Sequence, residues 1–162
     1  MTSPRLPRLG HALRELLHAR RHGALGTLGA DGEAFVSMVP YAVDTAARRL
    51  VLHVSGLAAH TANMAAHPRV SLLVMAADQD GQAVHDLPRV TLDALAETPA
   101  PDSAEWATAR AAYVARFPET EAMTELPDFR FVTLTLTSAR QVAGFGSARS
   151  VSADELDHVL AT

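Results

Sequence analysis

The chain contains neither cysteine nor lysine, and all 14 of its basic residues are arginines. The absence of cysteine excludes disulfides, thiolate nucleophiles and metal sites with cysteine ligands. The absence of lysine excludes a Schiff base to pyridoxal phosphate, a Walker-type phosphate loop and a lysine general base. No apolar run approaches the roughly 20 residues that a helix needs to cross a bilayer. We therefore expect a cytoplasmic protein without a membrane partner.

The composition is that of a globular protein with a mild excess of acid. The 162 residues are 48% hydrophobic and 20% charged, and the formal net charge is −4. This length suits one domain with its own core, and the apolar share excludes a disordered chain. A negative chain lacks the clustered cations that phosphate backbones require, so we expect no nucleic-acid partner. The prediction is a single domain over residues 1–162.

Helices are predicted at both ends of the chain and between the strands. Leucines at helical spacing predict a first helix at about residues 6–21, with Gly23 as its stop. Ser152 and Glu155 form a capping box that begins a C-terminal helix at about residues 152–161. Asp102 and Glu105 form a similar box before a helix that ends at Pro118. Shorter helices are expected over residues 60–66 and 120–126.

Between these helices the sequence shows the period of two that is typical of strands. A tight turn at Asp31-Gly32 predicts a hairpin. The strands are expected at residues 24–28, 33–39, 50–55, 70–75, 90–96 and 131–136, with a possible extension at 141–143. Strands joined by tight turns, with few and short helices, predict a mainly β (α+β) fold, a small antiparallel barrel with flanking helices.

The segment after the third strand can bind an anion or merely cap a helix. Ser55 ends a buried strand, and a polar turn leads to His60 and Thr61 at a helix start. The first N–H groups of a helix are unpaired and carry the positive end of its dipole. The same residues are also ordinary helix caps. On these local features alone, capping is the favoured interpretation.

Several short blocks, taken in order, resemble one family over nearly the whole chain. The resemblance is to the pyridoxamine 5′-phosphate oxidase-like, FMN-binding split-barrel superfamily, and within it to the branch that includes haem-utilisation proteins. The blocks are Val39-Pro40-Tyr41, Ser55 with His60-Thr61-Ala62-Asn63, His67-Pro68-Arg69-Val70-Ser71-Leu72-Leu73, Arg89-Val90-Thr91-Leu92, Leu126-Pro127-Asp128-Phe129 and Gly144-Phe145-Gly146.

The resemblance implies a split barrel of six to seven antiparallel strands and a homodimer with two FMN molecules at the subunit interface. One strand would lie along the flavin, the end of another with its turn would hold the phosphate, and an arginine would stand near the ring. Carried onto this chain, these positions are Ser37, Met38 and Val39, then His53, Val54, Ser55, His60 and Thr61, and finally Arg89.

The first functional hypothesis is an FMN-dependent oxidoreductase acting on a small molecule, with another small molecule as electron donor. The flavin would carry the chemistry, and no residue is assigned as catalytic. Many relatives have a cation in the phosphate turn, where this chain has Gly56 and His60. His60 is therefore expected to supply the charge. On that basis His60→Ala should weaken FMN binding more at pH 6 than at pH 8.

The second hypothesis is a haem-binding or haem-utilisation protein, and the third is a non-catalytic split barrel that binds a ligand. In the haem branch, the iron-binding histidine is placed after the glycine turn. Here only His158 follows Gly146, inside a predicted helix where a surface position is favoured. Asp128 matches a position shared across the branch. No metal site is predicted, because His11, His18 and His22 form a stripe on the polar side of the first helix.

Overall fold

The computed structural model describes residues 6–161, in which four α-helices flank one sheet of eight strands. Residues 1–5 and 162 of the predicted domain lie outside the described residues. The helices are α1 (Arg8–Ala19), α2 (Ala59–Ala66), α3 (Ala104–Arg116) and α4 (Ala153–Leu160). The strands are β1 (His22–Leu28), β2 (Ala34–Pro40), β3 (Ala42–Asp44), β4 (Arg49–Ser55), β5 (Arg69–Met75), β6 (Arg89–Glu97), β7 (Phe129–Val142) and β8 (Ala148–Ser152).

The strands form a curled antiparallel sheet in the order β2-β1-β5-β6-β7-β4-β3, and β8 adds to it by pairing with β7. This confirms the predicted split barrel with short flanking helices. The strand count is higher than predicted because of β3 and β8. Strand β3 has only three residues, too few to show an alternation in the sequence. Strand β8 becomes a strand through its pairing with the end of β7.

Strand β7 runs through two segments that were predicted to be separate. It has 14 residues, pairs with β4 near its start and with β8 near its end, and lies beside β6 along most of its length. Asp93 pairs with Ser138, but the next residue, Ala94, pairs with Leu136, which leaves Thr137 as an extra residue. A bulge of this kind bends and twists a strand. Strand β7 can therefore follow the curl of the sheet.

The core has two layers because β4 is buried on both faces, as its apolar sequence predicts. Leu50, Leu52 and Val54 belong to the main core inside the curled sheet. Val51 faces outward beneath α3. A set of rings fills the space between β4, β7 and α3, and we call it the aromatic layer: His53, Trp106, Tyr113, Phe117, Phe129 and Phe131.

Helix α1 is shorter than predicted, and Gly23 has a different role. Leu13 and Leu17 face the core, and His11 and His18 are exposed on α1. His22 is exposed too, but it lies in β1, so the three histidines do not form the predicted stripe on one helix. Gly23 lies within β1 and does not stop the helix. A Cβ atom there would lie 2.7 Å from the carbonyl oxygen of Leu73. Glycine therefore allows the close approach of β1 and β5.

The later helices begin and end near the predicted residues, with one corrected cap. The Ser103 hydroxyl, not Asp102, accepts a hydrogen bond from the Trp106 N–H at 3.1 Å and begins α3. The predicted cap at Ser152 is present and accepts from the Glu155 N–H at 3.3 Å. The segment predicted as a helix over residues 120–126 is a 3₁₀ helix, Pro118–Glu125. Between residues 6 and 161, no helix is long and apolar enough to cross a membrane.

Candidate functional site

Ser37 and His60 come from different elements and meet in the structure. Ser37 lies on β2, and His60 lies in the first turn of α2, which packs against β1 and β2. The Ser37 Oγ atom is 3.0 Å from His60 Nδ1, within hydrogen-bond distance. Burial lowers the pKa of His60 below its ordinary value. Burial therefore disfavours the charged imidazole, which weighs against the cationic role predicted from the sequence.

The turn between β4 and α2, residues 55–61, is held by the two hydroxyl residues that the sequence singled out. Ser55 Oγ accepts a hydrogen bond from the Leu57 N–H at 3.2 Å. The hydroxyl of Thr61 donates to the Ser55 carbonyl oxygen at 2.6 Å and is buried. Both hydroxyls thus stabilise the turn itself, which is the capping type of role that the local sequence favoured.

An arginine that the sequence analysis missed lies against this turn. Arg130 pairs with Val54 across β4 and β7. A Cβ atom on Gly56 would lie 2.5 Å from the Arg130 Nη2 atom and 3.0 Å from the Asp128 carbonyl oxygen. The Gly56 N–H donates to that carbonyl. Gly56 therefore leaves the space that the Arg130 guanidinium occupies.

Three predicted ligand residues direct their side chains into the protein. Val39 and Val54 belong to the main core. His53 lies in the aromatic layer, with its ring centroid 4.7 Å from that of Phe131 and 5.1 Å from that of Phe129. Burial lowers the pKa of His53 to about 4, and its Nδ1 atom has no hydrogen-bond partner among residues 6–161. These residues can offer a ligand only backbone groups, whereas Met38 is 65% exposed.

Arg89 lies far from the 55–61 turn within one chain. It pairs with Val142 at the end of β7, whereas Ser55 pairs with Phe129 at its start. The Arg89 guanidinium donates to the carbonyl oxygens of His85 at 3.3 Å and Leu87 at 2.9 Å. One chain therefore does not bring Arg89 to the other predicted ligand residues.

The residues considered for haem also lie apart. His158 is on α4, which packs against α1 and β7, and its Nδ1 atom is 2.6 Å from the Asp154 carbonyl oxygen. Asp128 is exposed in the turn before β7, beside Gly56. No group of three metal-ligating side chains occurs within the described part of the chain.

A groove of about 860 Å³ lies on the outer face of the sheet across β1, β2, β5, β6 and β7. We call it the outer groove. Its wall contains exposed apolar side chains, among them Leu28, Phe35, Val36 and Leu95. At its polar end the Asp93 carboxylate accepts hydrogen bonds from the hydroxyls of Ser71 and Ser138 at 2.7 and 2.9 Å. The groove thus presents apolar and polar surface side by side.

Comparison with known proteins agrees with this fold. A family described as pyridoxamine 5′-phosphate oxidase matches residues 9–143 of the chain. The chain belongs to this family. Membership was predicted from the sequence blocks and is confirmed, as is the resemblance to the haem-utilisation branch.

Individual relatives come from that branch. HutZ of Vibrio cholerae, described as a haem oxygenase, is 31% identical over 150 residues, which cover 92% of this chain and 84% of HutZ. A haem-binding protein from Mycobacterium smegmatis has a TM-score of 0.83 and 29% identity over 94% of this chain, which spans 61% of that protein's length. A solved structure of HutZ, described there as a haem storage protein, has a TM-score of 0.71 and 26% identity over 79% of this chain and 89% of HutZ.

Proposed function

We propose that this protein binds haem. The observation that carries the proposal is the 31% identity to HutZ over 92% of this chain, together with the likeness to a mycobacterial haem-binding protein. HutZ is described both as an oxygenase and as a storage protein. The common element of the two descriptions is haem itself. The proposal for this chain is therefore binding, and it assigns no reaction.

The chain has histidines that could each serve as the one axial ligand of a haem iron. Haem iron needs one or two ligands from the protein, because the porphyrin supplies four nitrogens, and histidine is a frequent one. His60 is half-buried, which favours its neutral form, and its Nδ1 lies beside the Ser37 hydroxyl. A metal-bound imidazole commonly has its other nitrogen fixed in this way. His60 is thus our first candidate for the iron ligand. The second is His158, which the sequence analysis considered for the same role.

The remaining requirements of haem are apolar surface for the ring and polar groups for its carboxylates. The outer groove offers exposed apolar side chains, and Arg69 lies on its wall. Strand β2 carries both Ser37 and the groove residues Phe35 and Val36. Bound haem would supply an iron centre able to take small ligands or exchange electrons. The role of the protein side chains would be to bind and orient it.

A titration with ferric haem, followed by the Soret band, tests the proposal. We expect a saturable Soret shift with the unaltered protein and its loss in His60→Ala. The control is His18→Ala, which removes an exposed histidine of α1. A shift lost in His158→Ala, and kept in His60→Ala, would make His158 the ligand and leave haem binding intact. A spectrum of free haem throughout would contradict the proposal.

The FMN-dependent oxidoreductase is the second candidate function. It is favoured by membership of the pyridoxamine 5′-phosphate oxidase family and by a cation, Arg130, beside the 55–61 turn. The substrate and electron donor would be small molecules, and the flavin would carry the chemistry. The colour of the purified protein separates the candidates: yellow indicates flavin, red-brown indicates haem, and a colourless protein that takes up neither indicates the third hypothesis, a split barrel that binds another ligand.

The homodimer predicted from the family resemblance is part of this proposal. The outer groove leaves Val36 67% exposed and Leu28 40% exposed, and exposed apolar patches of this kind are typical of interaction surfaces. A second copy on this face would bury them. In a dimer, one subunit would supply Arg89 and the other Ser55 to the same site, although the two residues lie far apart within one chain.

A further inference from the structure

The ligands under consideration share one chemical feature, an oxyanion group attached through a flexible side chain to a large flat ring system. Haem carries two propionate carboxylates, and FMN carries a phosphate. An arginine binds either group with two parallel N–H donors, and such charge-assisted bonds are about twice as strong as neutral ones. A protein that binds either ligand in this fold therefore gains from an arginine with no competing partner.

Most arginines of the chain are occupied by other groups. Those that donate to carboxylates or backbone carbonyls are Arg14, Arg21, Arg48, Arg49, Arg89, Arg110, Arg116 and Arg149. Among residues 6–161, the side chains of Arg8, Arg20, Arg69 and Arg130 take part in no hydrogen bond or ion pair, and of these Arg130 lies against Gly56 of the 55–61 turn. Its side chain is exposed, and the neighbouring carboxylate of Asp128 forms no ion pair with it. Arg130 is thus charged and available.

The position of Arg130 is set by strand pairing and by a glycine. Because Arg130 pairs with Val54, its side chain emerges next to the end of β4, where the 55–61 turn begins. The guanidinium Nη2 lies where a side chain at position 56 would begin, 2.5 Å from the ideal Cβ position. Gly56 is therefore the residue that lets a cation from β7 lie on a turn that has no cation of its own.

His60 does not compete for this role. Its Nδ1 atom is already within hydrogen-bond distance of the Ser37 hydroxyl, at 3.0 Å. An arginine stays protonated at every pH of interest. The positive charge at the turn therefore comes from Arg130, a residue outside the turn sequence.

We propose that Arg130 anchors the oxyanion group of the ligand at the 55–61 turn, with Gly56 making room for its guanidinium. This inference rests on the proposed function in one respect, that the ligand is an acidic cofactor such as haem. It goes beyond that function by naming the anchoring residue and the part of the ligand that it binds.

The test compares probes with and without the oxyanion. Affinities are measured for haem and its dimethyl ester, and for FMN and riboflavin, with the unaltered protein, Arg130→Gln and Arg130→Lys. We expect Arg130→Gln to weaken binding of the acidic probe by about 10- to 100-fold, since hydrogen bonds to charged groups contribute about 1.5–3 kcal/mol. Arg130→Lys should restore part of the loss. The neutral probes should bind equally well to all three.

Two further variants keep the result free of folding effects. Arg140→Gln removes an exposed arginine farther along β7 and should leave all affinities unchanged. Gly56→Ala keeps the charge but displaces the guanidinium, and it should weaken binding of the acidic probe in the same direction as Arg130→Gln. Thermal unfolding midpoints of the variants show whether each remains folded.

The outcomes separate this inference from the proposed function. Tight haem binding that is unchanged in Arg130→Gln, or an equal loss for the dimethyl ester, would overturn the inference and leave haem binding standing. Arg130-dependent binding of FMN, with no binding of haem, would overturn the haem proposal and support the anchor. Failure of the unaltered protein to bind either acidic probe would overturn both.

Discussion

The outer side of the sheet has two regions, which differ in whether a helix covers them. Over β4 and β7, helix α3 covers the strands, and Phe131 and Tyr113 are almost completely buried. Over β1, β5 and β6, none of the described helices covers the sheet, and Phe35 and Leu95 are each 41% exposed. The same kind of strand therefore has a closed face in one place and an open face in the other.

The covered region stabilises the fold, whereas the open region is available for binding. In the aromatic layer the rings pack against one another at centroid distances of 4.7–6.0 Å, so the protein supplies all contacts itself. The outer groove leaves apolar surface without a cover, so contacts there have to come from a ligand or a second copy. Substitutions in the aromatic layer should therefore act on folding, and substitutions in the groove should act on association.

The largest expected effect is that of Phe131→Ala on stability. Phe131 is 1% exposed and contacts rings on β4 and α3. Removing a buried phenyl ring costs about 3–5 kcal/mol of unfolding free energy. Urea unfolding followed by circular dichroism measures the change. Phe35→Ala, on the open face, is the matched control and should lose no more than about 1 kcal/mol in the monomer. Equal losses for the two would remove the distinction between the faces.

The next effect concerns assembly. Val36 lies on the wall of the outer groove and is 67% exposed, so Val36→Arg should fold normally but introduce an unpaired charge into the interface of the proposed dimer. We expect the dissociation constant of the dimer to rise about 100-fold, as measured by sedimentation equilibrium. Val84→Arg is the control, at an exposed position outside the groove. A monomeric unaltered protein would contradict the dimer itself.

Much of the fold could be predicted because its strands alternate clearly and its blocks occur in family order. The sequence did not predict that β7 is one continuous strand, because Thr137, Ser138 and Arg140 interrupt the apolar pattern. These residues form a strand because they are paired with β6 and β8, and such pairing is a tertiary property. In the same way, the three residues of β3 form a strand only because they pair with β4.

The candidate site was predicted less completely for a related reason. The sequence indicated the turn, Ser55 and His60, which lie close together along the chain. It did not indicate Arg130, because that side chain reaches Gly56 only through the pairing of β4 with β7. The family resemblance suggested His53 as a ligand residue, and the sequence did not indicate that rings distant along the chain surround its side chain, so that only its backbone is left for a ligand.

A smaller effect tests the burial of His53 through pH. Burial lowers its pKa from 6.5 to about 4, so between these values the unfolded chain binds a proton that the folded chain does not. Stability should therefore fall as the pH drops from about 6.5 towards 4. With the ring edge still in slight contact with solvent, we expect a loss of about 1–2 kcal/mol between pH 7 and pH 5.

His53→Phe should remove this contribution, because a phenyl ring fits among the neighbouring aromatic rings and does not titrate. Urea unfolding at several pH values measures the slope. His18→Phe, at an exposed position on α1, serves as the control and should keep the slope of the unaltered protein. An unchanged slope in His53→Phe would mean that the acid sensitivity arises elsewhere.

The smallest effect concerns the pH dependence of ligand binding at His60. The sequence suggested that His60→Ala would weaken FMN binding more at pH 6 than at pH 8. Since burial lowers the pKa of His60, less of its imidazole is charged at pH 6 than in an exposed histidine, and the losses at the two pH values should differ less than a fully charged ring would require, for either FMN or haem. Titrations of the unaltered protein and His60→Ala at the two pH values measure the ratio. A clearly larger loss at pH 6 would return a positive charge to His60 in the complex and weaken the case for Arg130 as the cation of this turn.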